Sequence, residues 1–316
     1  MWKQKLLIKF QCSEAMKSNI TIITSEPRGA YHLMPLYEEM SKRDSVFTHL
    51  VPYPENLQGQ AWRNVSSSLS SIDQCDTLIL AGGGFTAWSE SILTYATRIG
   101  KRIYLSELAY GSFTNYRSDI KFDKVSALNH VSKVKFCEKQ SFNTDNVIVT
   151  GSPQAVVGKE IAEGYILLLS TSDMSQRDPD QNLIEVANYL SNNDIYYKVR
   201  LHPREEVSTW DGLKVSNKPL LSDDLKGAKL VVAYPGTPTL NAVASNIPLL
   251  NLIPNDSFSG ILDPSYNSIM LNWASTGQEA IDKINNIALP DMREVTNLLG
   301  SNENAAKKIV DFWESK

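Results

Sequence analysis

Ile195-Tyr196-Tyr197-Lys198-Val199-Arg200-Leu201-His202-Pro203, read together with Lys229-Leu230-Val231-Val232-Ala233-Tyr234-Pro235-Gly236-Thr237-Pro238-Thr239-Leu240, decides the fold. Each is a short, continuous run of β-branched, aromatic and aliphatic residues that stops at a proline, the pattern of parallel strands buried on both faces. In such sheets ligands gather beyond the carboxyl ends of the strands. His202 stands at one such end, and the turn Gly236-Thr237-Pro238-Thr239 at the other. That turn opens a helix whose first N–H groups and dipole suit an anion, most simply a phosphate.

The same βα rhythm extends in both directions. Upstream, Tyr165–Leu169 is a strand followed by the hydroxyl-rich loop Ser170-Thr171-Ser172-Asp173, and Asp180–Leu190 is a helix buried through Leu183, Val186, Ala187 and Leu190. The loop places Ser170, Thr171 and Ser172 on the same side as His202, where they serve equally well as helix caps and Ser/Thr turns. Downstream, Ser222 is set to cap a short helix carrying Asp223 and Asp224, Pro248–Ile253 and Ile269–Trp273 supply strands, and Thr276-x-x-Glu279 is a capping box. A last helix covers about Asn302–Glu314.

The first half repeats the pattern. Strands are expected at Asn19–Thr24, Val46–Tyr53, Asp76–Ala81, Arg102–Ser106 and Asn146–Thr150, with helices starting near His32, over Gln58–Ile72 and after Gly82-Gly83-Gly84. The triple glycine is neither a dinucleotide fingerprint nor a P-loop, so Gly83 and Gly84 read as a cleft-lining loop. Arg28 lies in the loop that follows the first strand, and Glu107 ends the fourth strand, where a side chain is expected to project into a cleft.

With 316 residues the chain is long for one core and suits two domains, 1–157 and 158–316, with the last helix free to pack back on the first. A hydrophobic fraction of 42% and a net charge of -4 describe a soluble protein with no electrostatic case for nucleic acid. Three scattered cysteines, Cys12, Cys75 and Cys137, read as reduced thiols of a cytoplasmic protein. The apolar patch near the N-terminus is too short for a signal peptide, and no stretch reaches the length of a membrane span. Peripheral association with the inner face of a membrane stays open.

Arg200-Leu201-His202-Pro203-Arg204-Glu205 resembles the His-Pro motif of bacterial glycosyltransferases of the two-domain GT-B fold that use CMP-activated sugars. Sialyltransferases of lipooligosaccharide and capsule are the nearest comparison, with Kdo transferases and teichoic-acid-type polymerases further off. The segment from Pro235 to Pro248 resembles their Ser/Thr-rich phosphate turn, and Val149-Thr150-Gly151-Ser152-Pro153 the entry to their interdomain hinge. The resemblance covers the second half in its motifs and the first as topology and loop fragments. It implies an α/β GT-B architecture, two Rossmann-like domains facing each other across a cleft, the first for the acceptor and the second for the nucleotide sugar. It further implies that His202, Pro203, Arg204, Gly236, Thr237, Thr239, Ser170, Thr171 and Ser172 hold the nucleotide. Arg28, Gly83, Gly84 and Gly111 would line the acceptor side.

Gly29-Ala30-Tyr31-His32-Leu33-Met34-Pro35 resembles, with one residue inserted, the Gly-His-x-x-Pro loop that presents a histidine to the acceptor. A helix-start histidine with Pro35 in the first turn fits the same residues. Where the sialyltransferases carry an acidic-acidic-glycine motif with the general base, this chain has Ala109-Tyr110-Gly111. Glu107 is the one carboxylate near enough to substitute, or else a solvated or ion-paired loop residue.

The expected activity is inverting transfer of a sialic-acid-like or Kdo-like sugar from a CMP-linked donor to a hydroxyl of an oligosaccharide or glycolipid. Glu107, or failing it His32, would take the proton, since a sugar hydroxyl is a poor nucleophile. His202 and the helix start would meet the charge of the departing phosphate. No cofactor is expected, and no Asp-x-Asp or other ligand spacing calls for a metal. Two alternatives remain: a UDP-sugar-using GT-B transferase or epimerase, and an inactive GT-B-like glycan-binding or assembly partner. The latter fits the missing acidic motif.

Overall fold

The computed structural model describes residues 18–23, 27–43, 46–51, 71–82, 87–107, 116–117, 119–155, 164–170, 179–202, 205, 210–218, 220–253 and 264–315. In chain order the first half holds β1 (Ser18–Ile23), α1 (Pro27–Ser41), β2 (Val46–Val51), β3 (Thr77–Gly82), α2 (Ala87–Arg98), β4 (Arg102–Glu107), β5 (Lys124–Ala127), α3 (His130–Gln140) and β6 (Val147–Val149). The second half holds β7 (Tyr165–Leu169), α4 (Pro179–Asn192), β8 (Tyr197–Arg200), α5 (Leu221–Leu225), β9 (Ala228–Ala233), α6 (Thr237–Ala244), β10 (Leu249–Leu252), β11 (Trp273–Ala274), α7 (Gly277–Lys283), α8 (Met292–Leu299) and α9 (Ala305–Glu314).

The strands form two wholly parallel sheets, ordered β2-β1-β3-β4-β5-β6 and β11-β10-β9-β7-β8. Each has helices on both faces, which is why its central strands are uniformly apolar. On β4 the alternation is direct. Tyr104 faces a core shared with α1 and α9, while Leu105 faces one shared with α2 and α3. The second sheet is sandwiched in the same way, with Leu240 and Val243 of α6 on one side and Leu183, Val186 and Leu190 of α4 on the other.

Several expectations shift. The first helix begins at Pro27, whose fixed φ suits a first turn, so His32 sits in its second turn and not at its start. The strand expected over Ile269–Trp273 is displaced. Pro264–Ile269 is a 3-10 turn that delivers Ile269 and Met270 to the core, and only Trp273–Ala274 pair. Ser222 lies inside α5 and not at its cap, which is Leu220 with no side-chain hydrogen bond. Thr276 does accept from the Glu279 N–H at 3.1 Å, but Glu279 reaches back to the N–H of Ser275. The helix expected over Gln58–Ile72 lies outside the described residues except at its end, where 71–74 are helical.

β5, α3 and α8 have no counterpart among the elements expected from the sequence. The strand β5 has four residues, including Lys124 and Ser126, too few to show a period. α3 starts at Asn129, whose Oδ1 accepts the Ser132 N–H, and α8 at Asp291, whose side chain accepts the Arg293 N–H.

The final helix α9 follows the second sheet in sequence but lies on the first. Ile309, Val310 and Trp313 pack among Ile20, Leu33, Leu36, Met40 and Tyr104. Lys124 Nζ donates to the Phe312 carbonyl at 2.7 Å, supplying a cation to the helix's negative end.

Candidate functional site

The carboxyl edge of the second sheet brings three of the sequence-predicted residues into register. Leu169 pairs with Arg200 on one side and Ala233 on the other, so Ser170, His202 and the Gly236 turn follow three adjacent strands. The His202 N–H donates to Ser170 Oγ at 2.8 Å and to Glu205 Oε2 at 2.7 Å, and the Glu205 N–H returns to the His202 carbonyl at 2.9 Å. Ser170 also bonds to the Glu205 carboxylate. This closed turn fixes the backbone that carries the half-buried His202. Glu205 is therefore a structural member of the candidate site, a role its residue type alone does not mark. Its Oε1 is buried with no hydrogen-bond partner among the described residues.

The helix start after β9 is more closed than its residue types suggest. Thr239 is fully buried; its hydroxyl accepts from the Gly236 N–H at 3.0 Å and donates to the Gly236 carbonyl at 2.6 Å. The Thr239 N–H also turns to the Gly236 carbonyl, at 3.1 Å, and Pro238 has no N–H. Thr239 thus builds the turn. Thr237, half-buried in the first turn, is the residue left to present an amide and a hydroxyl to an anion.

One helical turn beyond Thr237 stands Asn241, 1% exposed, with both side-chain polar atoms buried and without a partner among the described residues. Asn251, on β10, has its Oδ1 in the same condition. A buried amide without partners costs on the order of 1–3 kcal/mol per group, so such groups mark places where another molecule or water completes the bonding. The sequence signal was a lone polar residue inside the apolar run Leu240 to Ala244.

In the first half, Glu107 ends β4 and is fully buried, not projecting openly as expected from its place at a strand end. Its Oε2 accepts the Leu128 N–H at 2.7 Å. Tyr116 lies beside it: burial, and then the charge of Glu107, push the phenol well above its ordinary range. Gly82, the register partner of Glu107, leaves the space that the Tyr116 hydroxyl fills; a Cβ there would stand 2.8 Å from that oxygen. His32 is also fully buried, with Nε2 2.8 Å from Ser106 Oγ and Nδ1 without a partner among the described residues. Burial lowers its pKa to about 3, so the ring is neutral across the physiological range. Ser106 and Glu107 are successive residues of one strand and face opposite sides of the sheet. The two candidate bases therefore flank the end of β4 from opposite faces.

Arg28 is in the first turn of α1. Thr171, Ser172, Pro203, Arg204, Gly83, Gly84 and Gly111 lie outside the described residues. Among the described residues no group of three or more His, Cys, Asp or Glu side chains is placed to hold a metal ion, and no helix is long and apolar enough to cross a membrane.

This architecture is shared with solved structures of the GT-B fold. UDP-GlcNAc 2-epimerase from Neisseria meningitidis bound to UDP-GlcNAc superposes with a TM-score of 0.61 at 14% identity, over 94% of this chain and 99% of that one. The S. aureus MnaA–UDP co-structure gives 0.62 at 14% identity, over 95% and 96%. The wall teichoic acid polymerase TagF gives 0.66 at 10% identity, over 94% and 88%. The protein has the GT-B fold, with two parallel-sheet halves; at these identities the likeness reaches no further than fold. It lends no weight to the CMP-sialyltransferase comparison in particular. No protein-family model matches the chain, and no curated protein sequence does.

Proposed function

We propose that the protein is a GT-B enzyme acting on a UDP-sugar, with the nucleotide at the carboxyl edge of the second sheet. The observation that supports a uridine nucleotide over the CMP donor first expected is the near full-length superposition on structures described as bound to UDP-GlcNAc or UDP. The site chemistry agrees with a nucleotide sugar. Thr237 opens a helix toward the phosphates, His202 stands two strands away on the same carboxyl edge with its backbone held by the Ser170–Glu205 turn, and the buried amide of Asn241 offers both a donor and an acceptor to hydroxyls. The departing diphosphate gains charge that the helix start and imidazole can meet without a dedicated cation.

Calorimetry with UDP and CMP, each with and without EDTA, tests the nucleotide. UDP should bind at least tenfold more tightly, a difference of about 1.4 kcal/mol, with no dependence on divalent metal. Tighter binding of CMP would restore the sialyltransferase-like reading. Proton NMR of UDP-GlcNAc incubated with the protein then separates the reactions. Release of UDP only when a glycan acceptor is added is transfer, and a second UDP-hexosamine appearing without acceptor is epimerisation. Binding with neither outcome would leave a nucleotide-sugar-binding partner without turnover.

A further inference from the structure

We infer that Leu128 is a positioning residue that ties the Glu107 carboxylate to the seating of the second half of the chain. This rests on the proposed nucleotide site in the second half and on Glu107 serving as the acid–base group expected from the sequence. Leu128 directly follows β5, and its main-chain N–H donates to Glu107 Oε2 at 2.7 Å. Its side chain belongs to the other half, 1% exposed in a core built with Tyr266, Val295 and Leu299. Its carbonyl accepts the Gly151 N–H at 3.1 Å and lies so close to Gly300 that a Cβ there would stand 2.5 Å away.

The next residue fastens the same point. Asn129 Nδ2 donates to Tyr266 Oη at 2.9 Å and to the Leu298 carbonyl at 2.6 Å, while its Oδ1 caps α3 through the Ser132 N–H at 2.8 Å. One short segment thus carries the donor to Glu107 on its backbone and the anchor into the second half on its side chains. Packed cores shift between discrete seatings and do not deform continuously. Any change in how α8 and the Pro264–Ile269 turn sit on the first half must therefore move the Leu128 N–H relative to Glu107. A nucleotide binding only the second half would alter the hydrogen bonding of a carboxylate in the first, and linkage makes that coupling reciprocal.

The test follows the Leu128 amide and the Glu107 side-chain carboxyl carbon by NMR in the full chain labelled with 13C and 15N. Glu107→Gln must move that signal, which establishes the reporter. Asn129→Asp keeps the acceptor that caps α3 but turns an oxygen toward the Leu298 carbonyl and Tyr266. With no nucleotide present it should already shift the Leu128 amide and the carboxylate resonance and pH midpoint of Glu107, and it should remove any shift that UDP induces. Tyr266→Phe, which deletes a single partner and is the milder change, should move both signals in the same direction by less. An amide and carboxylate that stay put in both variants overturn the inference. If UDP fails to bind the unaltered protein, the nucleotide reading falls, and the comparison without nucleotide still decides the link. Where turnover is measured, kcat should drop by about 10²-fold with KM nearly unchanged, as expected when a reacting group is displaced without loss of binding.

Discussion

His32 Nε2 and Ser106 Oγ stand 2.8 Å apart in the interior of the first half, and Ser106 in turn accepts from Ser126 at 3.0 Å. Among the described residues no charged side chain compensates a protonated His32, so burial takes its pKa from 6.5 to about 3. The unfolded chain takes up this proton near pH 6.5, whereas the native state refuses it until about pH 3. The unfolded state therefore binds more protons between those values. Stability from this residue is complete above about pH 6.5 and is lost as pH falls toward 3, with a slope approaching 1.4 kcal/mol per pH unit. Urea denaturation at pH 7, 5.5 and 4.5 should show that loss, and His32→Asn should flatten it. An unchanged slope in the variant would assign the acid sensitivity to carboxylates.

Asp224 is fully buried and holds Arg200 at 2.6 Å through Oδ2 and the Ser216 hydroxyl at 2.6 Å through Oδ1. Arg200 ends β8, two residues before His202, and also donates to the carbonyls of Lys218 and Leu220. Removing one partner of a buried pair strands the other, so Asp224→Ala should cost about 3–5 kcal/mol in urea unfolding. Because the loss falls at the root of the His202 turn, nucleotide affinity should weaken with it. Asp224→Asn, which retains an acceptor, should cost less on both counts.

The fold was legible wherever strands were long and apolar. Leu78-Ile79-Leu80 and Leu230-Val231-Val232 each announce a central parallel strand because both faces are buried. Lys124–Ala127 was not legible, because a strand of four residues with a lysine and a serine lacks any period. The site was partly legible. His202 and Thr237 stand at strand ends, a position the sequence itself marks, but the inward rotation of Glu107 depends on the Leu128 amide, 21 residues away. Thr239 shows the same limit. Its residue type suits a phosphate, and only the structure shows its hydroxyl spent on Gly236.

Gly300 and Gly151 lie back to back where the chain passes between the halves, with φ of +80° and +72°. Gly300→Ala should suffer twice, from a left-handed backbone and from a Cβ 2.5 Å from the Leu128 carbonyl. Gly212, at φ +78° with open space around it, supplies the control. Gly212→Ala should cost only the backbone penalty of about 1–2 kcal/mol. A Gly300→Ala cost no larger than that control, by thermal or urea unfolding, would show that this junction yields freely.

Trp313 is 3% exposed and stacks on Tyr104 at 5.8 Å, joining the last helix to the first sheet. Its Nε1 has no partner among the described residues, so the contact with Tyr104 is one of packing and not of hydrogen bonding. Trp313→Ala should then cost about 3–5 kcal/mol, the range for emptying an aromatic site in a core. Trp313→Phe should cost less than Trp313→Ala, because it keeps an aromatic ring against Tyr104 and leaves a smaller cavity. Arg43 bridges α1 to Asp311 at 2.8 Å and to Glu314, but Asp311 is 47% exposed, so Arg43→Ala should cost no more than about 1 kcal/mol. Deleting residues 305–316 would strip the whole contact. Amide exchange should then rise over β1, α1 and β4 of the first half, while β7, β9 and α4 of the second keep their protection. Uniform loss of protection in both halves would mean that they unfold as one unit.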